Sequence, residues 1–562
     1  WGCHAMITGR EFRVARGGMR WLAAIDLRHW WHLRFRSPVA LALIAGCTVG
    51  PNYCPPESRL PDLWSGSKEG TVTTRPADVA NWWILFGDPT LDGLIERALR
   101  SNLDLRIAEA RVREARAGRT IAGADLWPSV GLASSYSYEG RSLNKKSDKS
   151  SDPWDQLHDT IVDETAKRLV GGSLDPRNLV EDVTGEMLGD ALNGTNKAGT
   201  RPREQNLFEV GFDASWELDV FGGIRRNVEA VDADVAASTE GYRDVVVTLL
   251  FEVARNYVEA RGYQQRIVIA HQNVEAQKET LRLARAQCDG GTGTELDVAQ
   301  AQAQLSSTES RVSALETAYR HAVHRLSLLV AGWPDATLVE LSKEAPIPAA
   351  PPEIPLGLPS DLLRRRPDIR GRERQLAAST ARIGVATADL FPKFSLNGAL
   401  GSQTYDARHL LDARSLFWSV GPGMSWPILD GGRIRANIEA QNAIQQQALA
   451  QYEQTVLRAV KEVEDALVAY HNERTRYRHL ADAVDAGLLA VSLASVQYEE
   501  GLSDFLVVVD SERSLFAAQE QLVQSRTSTT LHVIAVFKAL GGGWETRTDS
   551  DGATQQPKGV VP

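Results

Sequence analysis

Residues 437–500 read NIEAQNAIQQQALAQYEQTVLRAVKEVEDALVAYHNERTRYRHLADAVDAGLLAVSLASVQYEE, and no proline occurs between Pro427 and Pro557. Val456, Val460, Val463, Leu467, Tyr470, Arg474, Tyr477, Ala481, Val484, Leu488 and Val491 step alternately by four and three residues. That is a heptad seam, which keeps one side of a helix against neighbouring helices. Glutamine, glutamate, arginine and alanine fill most other positions and favour helix. At 1.5 Å rise per residue the stretch is a rod of roughly 96 Å. A compact core has no use for such a rod; an isolated coiled coil or a tunnel built from helices does.

The same stretch occurs twice. Shifted back by about 210 positions, which lays Trp426 on Trp216, it falls on Asn227–Gly290. The seam returns as Val246, Leu250, Val253, Tyr257, Ala260, Gln264, Ile267, His271, Val274, Lys278 and Leu281. Gly501 then answers Gly291, and Gly541-Gly542 answers Ala331-Gly332. The spacing predicts that each long helix ends at a glycine-bearing turn. A second helix follows each turn, over Thr294–Val330 and Asp504–Leu540. Two copies of this size indicate a duplicated unit rather than a solenoid.

The chain has 562 residues, enough for three or four ordinary domains, but the repeat argues for one elongated body. With 62 basic and 72 acidic side chains the net charge is −10, so bulk charge attracts no nucleic acid. No run of 18 apolar residues exists, which leaves no transmembrane helix candidate. Cys3, Cys47, Cys54 and Cys288 are too scattered for a disulfide framework or a zinc site. The P-loop, His-Glu-x-x-His and Gly-x-Ser-x-Gly patterns are absent. Gly290-Gly291-Thr292-Gly293 precedes a helix but lacks a following lysine, so it reads as a helix turn and not a phosphate loop. The expectation is a protein without enzymatic activity, metal or cofactor.

Segment 1–46 reads as targeting sequence, with Met6 and Met19 as candidate starts. Arg28, Arg34 and Arg36 precede the apolar run Val39–Ala45, a basic region followed by a hydrophobic one. Thr48–Pro89 is rich in proline and glycine and reads as an extended wrap, closed by the apolar Trp82-Trp83-Ile84-Leu85-Phe86. A helix is predicted from about Thr90 to Ala122, stopped by Ala124-Asp125-Leu126-Trp127-Pro128 and answered in the second half by Ala388-Asp389-Leu390-Phe391-Pro392.

Four segments alternate between apolar and small or polar residues. They run over Val130–Tyr138, Phe208–Asp219, Lys393–Leu400 and Leu416–Trp426. Period-two patterning of this length fits a membrane β-strand, with aromatics near the ends at the interfaces; a soluble sheet with one wet face uses the same pattern. The helix length favours the membrane, as does Ile44-Ala45-Gly46-Cys47, which resembles a lipid-attachment signal. Four strands cannot close a membrane barrel, and an open edge in lipid leaves backbone groups unpaired. Two chains would give a barrel whose interior side chains fill. Three chains sharing 12 strands give a passage. The first half also carries a polar insertion, 139–206, with Leu157–Arg168 and Leu179–Leu192 as short helices. Its length suits an outer loop.

Ile44-Ala45-Gly46-Cys47 resembles the lipobox of bacterial lipoproteins. Several further blocks resemble the TolC-like outer membrane factors, in their lipoprotein branch that serves resistance–nodulation–division efflux pumps. They are Cys47–Tyr53, Trp82–Pro89, Gly357–Arg370 with its Arg364-Arg365-Arg366-Pro367-Asp368, Arg382–Pro392, Gly501–Phe516 and Phe537–Trp544. The resemblance implies a helix-dominated α+β membrane protein with two internal repeats. Three chains would share an outer-membrane β-barrel, four strands each, and a long periplasmic α-helical barrel. It implies an acylated Cys47 bearing diacylglycerol and an N-acyl chain, with Thr48 favouring the outer membrane. It implies a tip at the turns Gly291 and Gly501 that docks a periplasmic adaptor and the inner-membrane pump. Leu506, Asp510 and Arg513 share a helix face, and the resemblance places the periplasmic gate there. The expected layout is a signal segment 1–46, a lipidated wrap 47–89, a first repeat 90–333, a linker 334–356, a second repeat 357–544 and a disordered tail 545–562. The expected function is the outer membrane channel of a tripartite efflux pump for drugs or other toxic small molecules. Type I protein secretion, heavy-metal efflux and a lipid-anchored coiled-coil scaffold without a pore are the alternatives.

Overall fold

The computed structural model describes residues 48–57, 61, 64, 72–73, 79–140, 204–351 and 354–545. The targeting segment, Cys47, the inserted segment between Gly140 and Glu204 with its two expected helices, and the tail beyond Glu545 lie outside the described residues.

In chain order, β1 (Val72–Thr73) and a 3-10 turn at Trp82–Phe86 lead to α1 (Pro89–Ser101), α2 (Leu103–Ala124), β2 (Ser129–Gly140) and β3 (Glu204–Leu218). Then come α3 (Gly223–Asp289), α4 (Glu295–Leu329) and α5 (Pro334–Leu341), the last inside the segment expected as a linker. The second half runs β4 (Ile354–Pro355), α6 (Asp361–Arg365), α7 (Pro367–Ala388), β5 (Lys393–Thr404), β6 (Leu416–Ser425), α8 (Arg433–Glu499) and α9 (Phe505–Ala539). β1 and β4 form a minimal parallel pair. The four longer strands form one antiparallel sheet in the order β2-β3-β5-β6.

The duplication holds to the residue. α3 and α8 have 67 residues each, about 100 Å of rod, and α4 and α9 have 35 each. Gly222 and Gly432 precede the long helices with φ of 80° and 87°. An aspartate two or three residues before each glycine caps the turn: Asp219 accepts from the N–H groups of Ile224 and Arg225, and Asp430 from those of Gly432 and Ile434. The Trp216 indole donates to the Leu126 carbonyl at 3.0 Å, and that of Trp426 to Leu390 at 3.0 Å. Each strand end is thereby tied to the turn that follows the preceding helix.

All four long elements stop in the same way. Thr292 N–H bonds Gln287 O and Gly291 N–H bonds Cys288 O; the pattern recurs at Gly332 and Ala331, at Leu502 and Gly501, and at Gly542 and Gly541. This is the Schellman motif, whose left-handed residue is normally glycine. Three of the four positions obey, and Ala331 holds φ 52°.

The expected helix over Thr90–Ala122 is two helices. Asn102 leaves the helical region with ψ 134°, its side chain accepts from Leu105 N–H, and its amide donates to Leu329 O at 2.9 Å. Asparagine favours such local bonds over helix continuation. α3 pairs with α4, α8 with α9, and α3 with α9 joins the two hairpins; α2 flanks α3, and α7 bridges α3 and α8. α4 and α8 are therefore the margins. Accordingly the α8 seam is buried at Val456, Val463, Leu467 and Tyr470 but open lower down, where Leu488 is 50% exposed. His271 and Lys278 of the first seam are exposed too. An 18-residue window of α8 reaches mean hydropathy 1.4 with little of it buried in the chain, although no unbroken apolar run exists. A margin helix has no neighbour on its outer side to cover such a surface.

The main core lies where the wrap crosses the helices. Trp82 is buried and stacks on Phe537, centroids 5.5 Å apart and planes 13° from parallel. Trp64 Nε1 donates to Gly357 O at 3.1 Å. Leu91, Leu94 and Ile95 of α1 pack into the same cluster as Leu250, Tyr257 and Leu326.

Ala331→Gly is expected to stabilise the fold by roughly 1 kcal/mol, the cost of a left-handed alanine less the entropy glycine adds to the unfolded chain. A denaturant midpoint that fails to rise contradicts the assignment of that turn.

Candidate functional site

Two regions stand out, the sheet and the helix turns farthest from it in the repeat. In the sheet, Leu132 pairs with Phe212, Phe212 with Leu400 and Leu400 with Trp418, an apolar row across all four strands. These side chains are 68, 54, 56 and 75% exposed. Val130, Tyr136, Val420 and Met424 lie on the same face and are exposed as well. The other face carries Asp213, Ser215, Glu217, Ser395, Asn397 and Ser419, and Ser215 Oγ meets Asn397 Oδ1 at 3.0 Å. Alternation thus sorts the faces as the sequence implied. Among the described residues only the loop between β5 and β6 folds onto the sheet, where Ser402 Oγ donates to Leu410 O and is buried; the rest of both faces is open. A contiguous exposed apolar patch of this kind marks a membrane or a partner. Pro422 sits within β6, where an edge strand tolerates a missing N–H.

At the other region, Gly291 and Gly501 take φ of 74° and 70°, and an added Cβ would meet nothing within 4 Å at either. The turns are open rims. α9 begins at the second rim and buries Phe505, Val508, Glu512 and Leu515. Leu506, 61% exposed, and the exposed Asp510 and Arg513 lie together on its other side. Asp510 and Arg513 make no ion pair within the described residues. In the first repeat Asp297 closes a capping box: Thr294 N–H donates to its carboxylate at 2.9 Å and Asp297 N–H to Thr294 Oγ1 at 3.3 Å. Asp504, the counterpart of Thr294, makes no such bond. The two tips are alike in path and unequal in anchoring.

Three features escaped the reading of the sequence. Arg226, buried near the start of α3, donates to Val49 O at 3.0 Å, Gly50 O at 3.3 Å and Asn52 Oδ1 at 2.7 Å, and pairs with Glu229. Gly50 holds φ 90° so close to Gly384 that a Cβ would sit 2.4 Å from its Cα. The residues that follow Cys47 are thus clamped onto α3 and α7. Arg366 is gripped by both oxygens of Asp368 and reaches Glu462 Oε2 at 2.8 Å and Ala539 O at 2.9 Å. It ties the start of α7 to α8 and to the end of α9. The block that contains it was visible; its role needed the partners, far apart in sequence. The third feature is the buried Glu512. Among the described residues, no group of histidine, cysteine, aspartate and glutamate is placed to hold a metal.

Comparison with known proteins agrees with this geometry. A model of the outer membrane efflux proteins matches residues 94–157, 183–332 and 358–542. Nodulation protein T of Rhizobium leguminosarum bv. trifolii is 30% identical, over 91% of this chain and 97% of its own length. The toluene efflux pump outer membrane protein TtgF of Pseudomonas putida is 29% identical, over 90% and 96%. The solved outer-membrane channel OprN is 34% identical with a TM-score of 0.75, over 89% of this chain and all of that one. The chain belongs to the outer membrane efflux proteins, a non-enzymatic family of channels that sit in the outer membrane and extend into the periplasm.

Proposed function

We propose that three copies of this chain stand side by side, close their sheets into one 12-stranded barrel in the outer membrane, and form below it a helical tunnel that serves a tripartite efflux pump. The observation that carries this is the row Leu132–Phe212–Leu400–Trp418, exposed on a sheet with two free edges. Lipid covers such a row, and neighbouring copies pair the edges. The uncovered outer side of α8 and the margin helix α4 supply the matching contact between the rods. Each interface joins two different surfaces, and a rotation that closes yields a ring.

Transport energy comes from an inner-membrane pump of the resistance–nodulation–division type, reached through a periplasmic adaptor that docks at the rims near Gly291 and Gly501. The cargo is a small toxic molecule; the toluene pump named for a relative supports that class. Cys47 carries diacylglycerol and an N-acyl chain, each buried CH₂ contributing about 0.8 kcal/mol of anchoring. The Arg226 clamp on Val49–Asn52 supports a tether held short against the body. Three copies of Asp510 around the axis form a carboxylate ring that favours cations. Leu506 narrows the bore, and Arg513 ties neighbouring helices by exposed ion pairs weak enough for adaptor docking to break.

Mass spectrometry of the mature protein should find Cys47 as the acylated first residue; an unmodified Cys47, or cleavage elsewhere, removes that part of the reading. In planar bilayers the parent should conduct poorly and prefer cations. Asp510→Ala with Arg513→Ala should conduct several-fold more, with weaker cation preference. A double variant that conducts and selects like the parent places the gate elsewhere.

A further inference from the structure

The hairpins α3–α4 and α8–α9 are held internally by apolar contacts and meet along one principal seam, α3 against α9. Partway along that seam, below the Phe251–Lys538 contact, the helices nearly touch: a Cβ on Gly262 would lie 2.6 Å from Thr527 Oγ1. Below this point polar groups line the seam beside one apolar cluster that joins the two hairpins, with Val274 and Leu281 on one side and Val508 and Val509 on the other. Arg266 pairs with Glu520, which Arg311 of α4 also approaches at 3.9 Å. Gln277 is 2% exposed, and neither polar atom of its amide is hydrogen-bonded. Gln519 Oε1 is likewise buried and unbonded. Nearest the tip, Glu512 is 4% exposed, and Thr280 Oγ1 donates to its Oε1 at 2.6 Å.

Among the described residues no basic group faces that carboxyl. On α3, Lys278 is paired with Glu275 and Arg282 with Glu279, all exposed. α8 has no charged residue between Asp485 and Tyr498. Glu309 and Arg311 of α4, and Asp510 and Arg513 of α9, are also exposed. Burial therefore holds the carboxyl above its ordinary value of 4.5, opposed only by the Thr280 bond.

We propose that Glu512 is a protonation-dependent latch on the tip: protonated, it stays packed against Thr280 and holds α9 on α3; ionised, it favours water, and the α8–α9 hairpin swings off α3 below the Gly262–Thr527 contact. The inference rests on the channel reading above. The only covalent change is loss of the carboxyl proton to water. Swinging out also hydrates the Gln277 amide and Gln519 Oε1, which give up no hydrogen bond, and this offsets part of the cost of exposing the apolar contacts beside them. The sign follows from the raised value in the closed form. The latch is fully engaged below the carboxyl's solvated value and weakens as pH rises through its buried one. One proton shifts the balance by at most about tenfold per pH unit.

The test is open probability of the full chain in planar bilayers from about pH 4 to about pH 8, with variants first shown to extract as the same assembly. The parent should open more as pH rises. Glu512→Gln keeps the bond to Thr280 without titrating, so its profile should be flat and closed. Thr280→Val removes the one bond the ionised carboxylate keeps in the closed seam, and opening at neutral pH should increase on the order of tenfold. If Glu512→Gln conducts with the parent's pH profile, or Thr280→Val opens no more than the parent, the latch is overturned while the channel reading stands. A parent that conducts at no pH overturns the channel reading itself.

Discussion

Unpaired backbone groups at a sheet edge, beside an apolar face that the described residues leave largely open, set the terms for this molecule. β2 and β6 each present an outer row of N–H and C=O groups, and the face between them bears Leu132, Phe212, Leu400 and Trp418. A backbone group that finds neither water nor a partner costs several kcal/mol. The described residues solve neither problem within the chain. Ser129 pairs with Ser215 and Lys393 with Ser425, so all four strands meet their helices at the same end of the sheet. The helices are thereby kept off both faces, and the covering must come from outside the chain.

The duplicated design was legible wherever local chemistry decides structure. Glycines at Schellman turns and an unbroken heptad pattern placed the ends of α3, α4, α8 and α9 within a few residues, and alternation placed the four strands. What sequence could not supply was anything made by partners far apart in the chain. The break at Asn102 depends on a carbonyl of α4. The clamp at Arg226 depends on backbone oxygens of the wrap. The α8 seam is periodic along its whole length, and periodicity alone does not say that its lower half lacks a neighbour within one chain. Of the residues proposed for the gate, spacing put Leu506, Asp510 and Arg513 on one helix face, and the structure leaves that face exposed; the burial of Glu512, which falls between them in sequence, depends on which side of α9 meets α3.

The two ends of the helical body differ in kind. The middle is knotted by Trp82 on Phe537, by Trp64 to Gly357, and by Arg366 reaching three elements at once. Towards the tip the hairpins meet over an apolar cluster that also encloses the unbonded Gln277 amide and Gln519 Oε1. There the first turn has a capping box and the second has none. A missing cap costs a helix start about 1 kcal/mol. Stability is thus concentrated where the wrap crosses the rods and is least at the α9 turn, an arrangement suited to a body that stays assembled while its far end moves.

Covalent capture between the sheet edges tests the central claim most directly. With Cys54 and Cys288 replaced by serine, cysteines placed along the outward edges of β2 and β6 should form disulfides between neighbouring copies in intact outer membranes. The products should be a ladder that ends at three chains. Monomers alone, at every pair of positions along the edges, would contradict a barrel closed between copies of this chain.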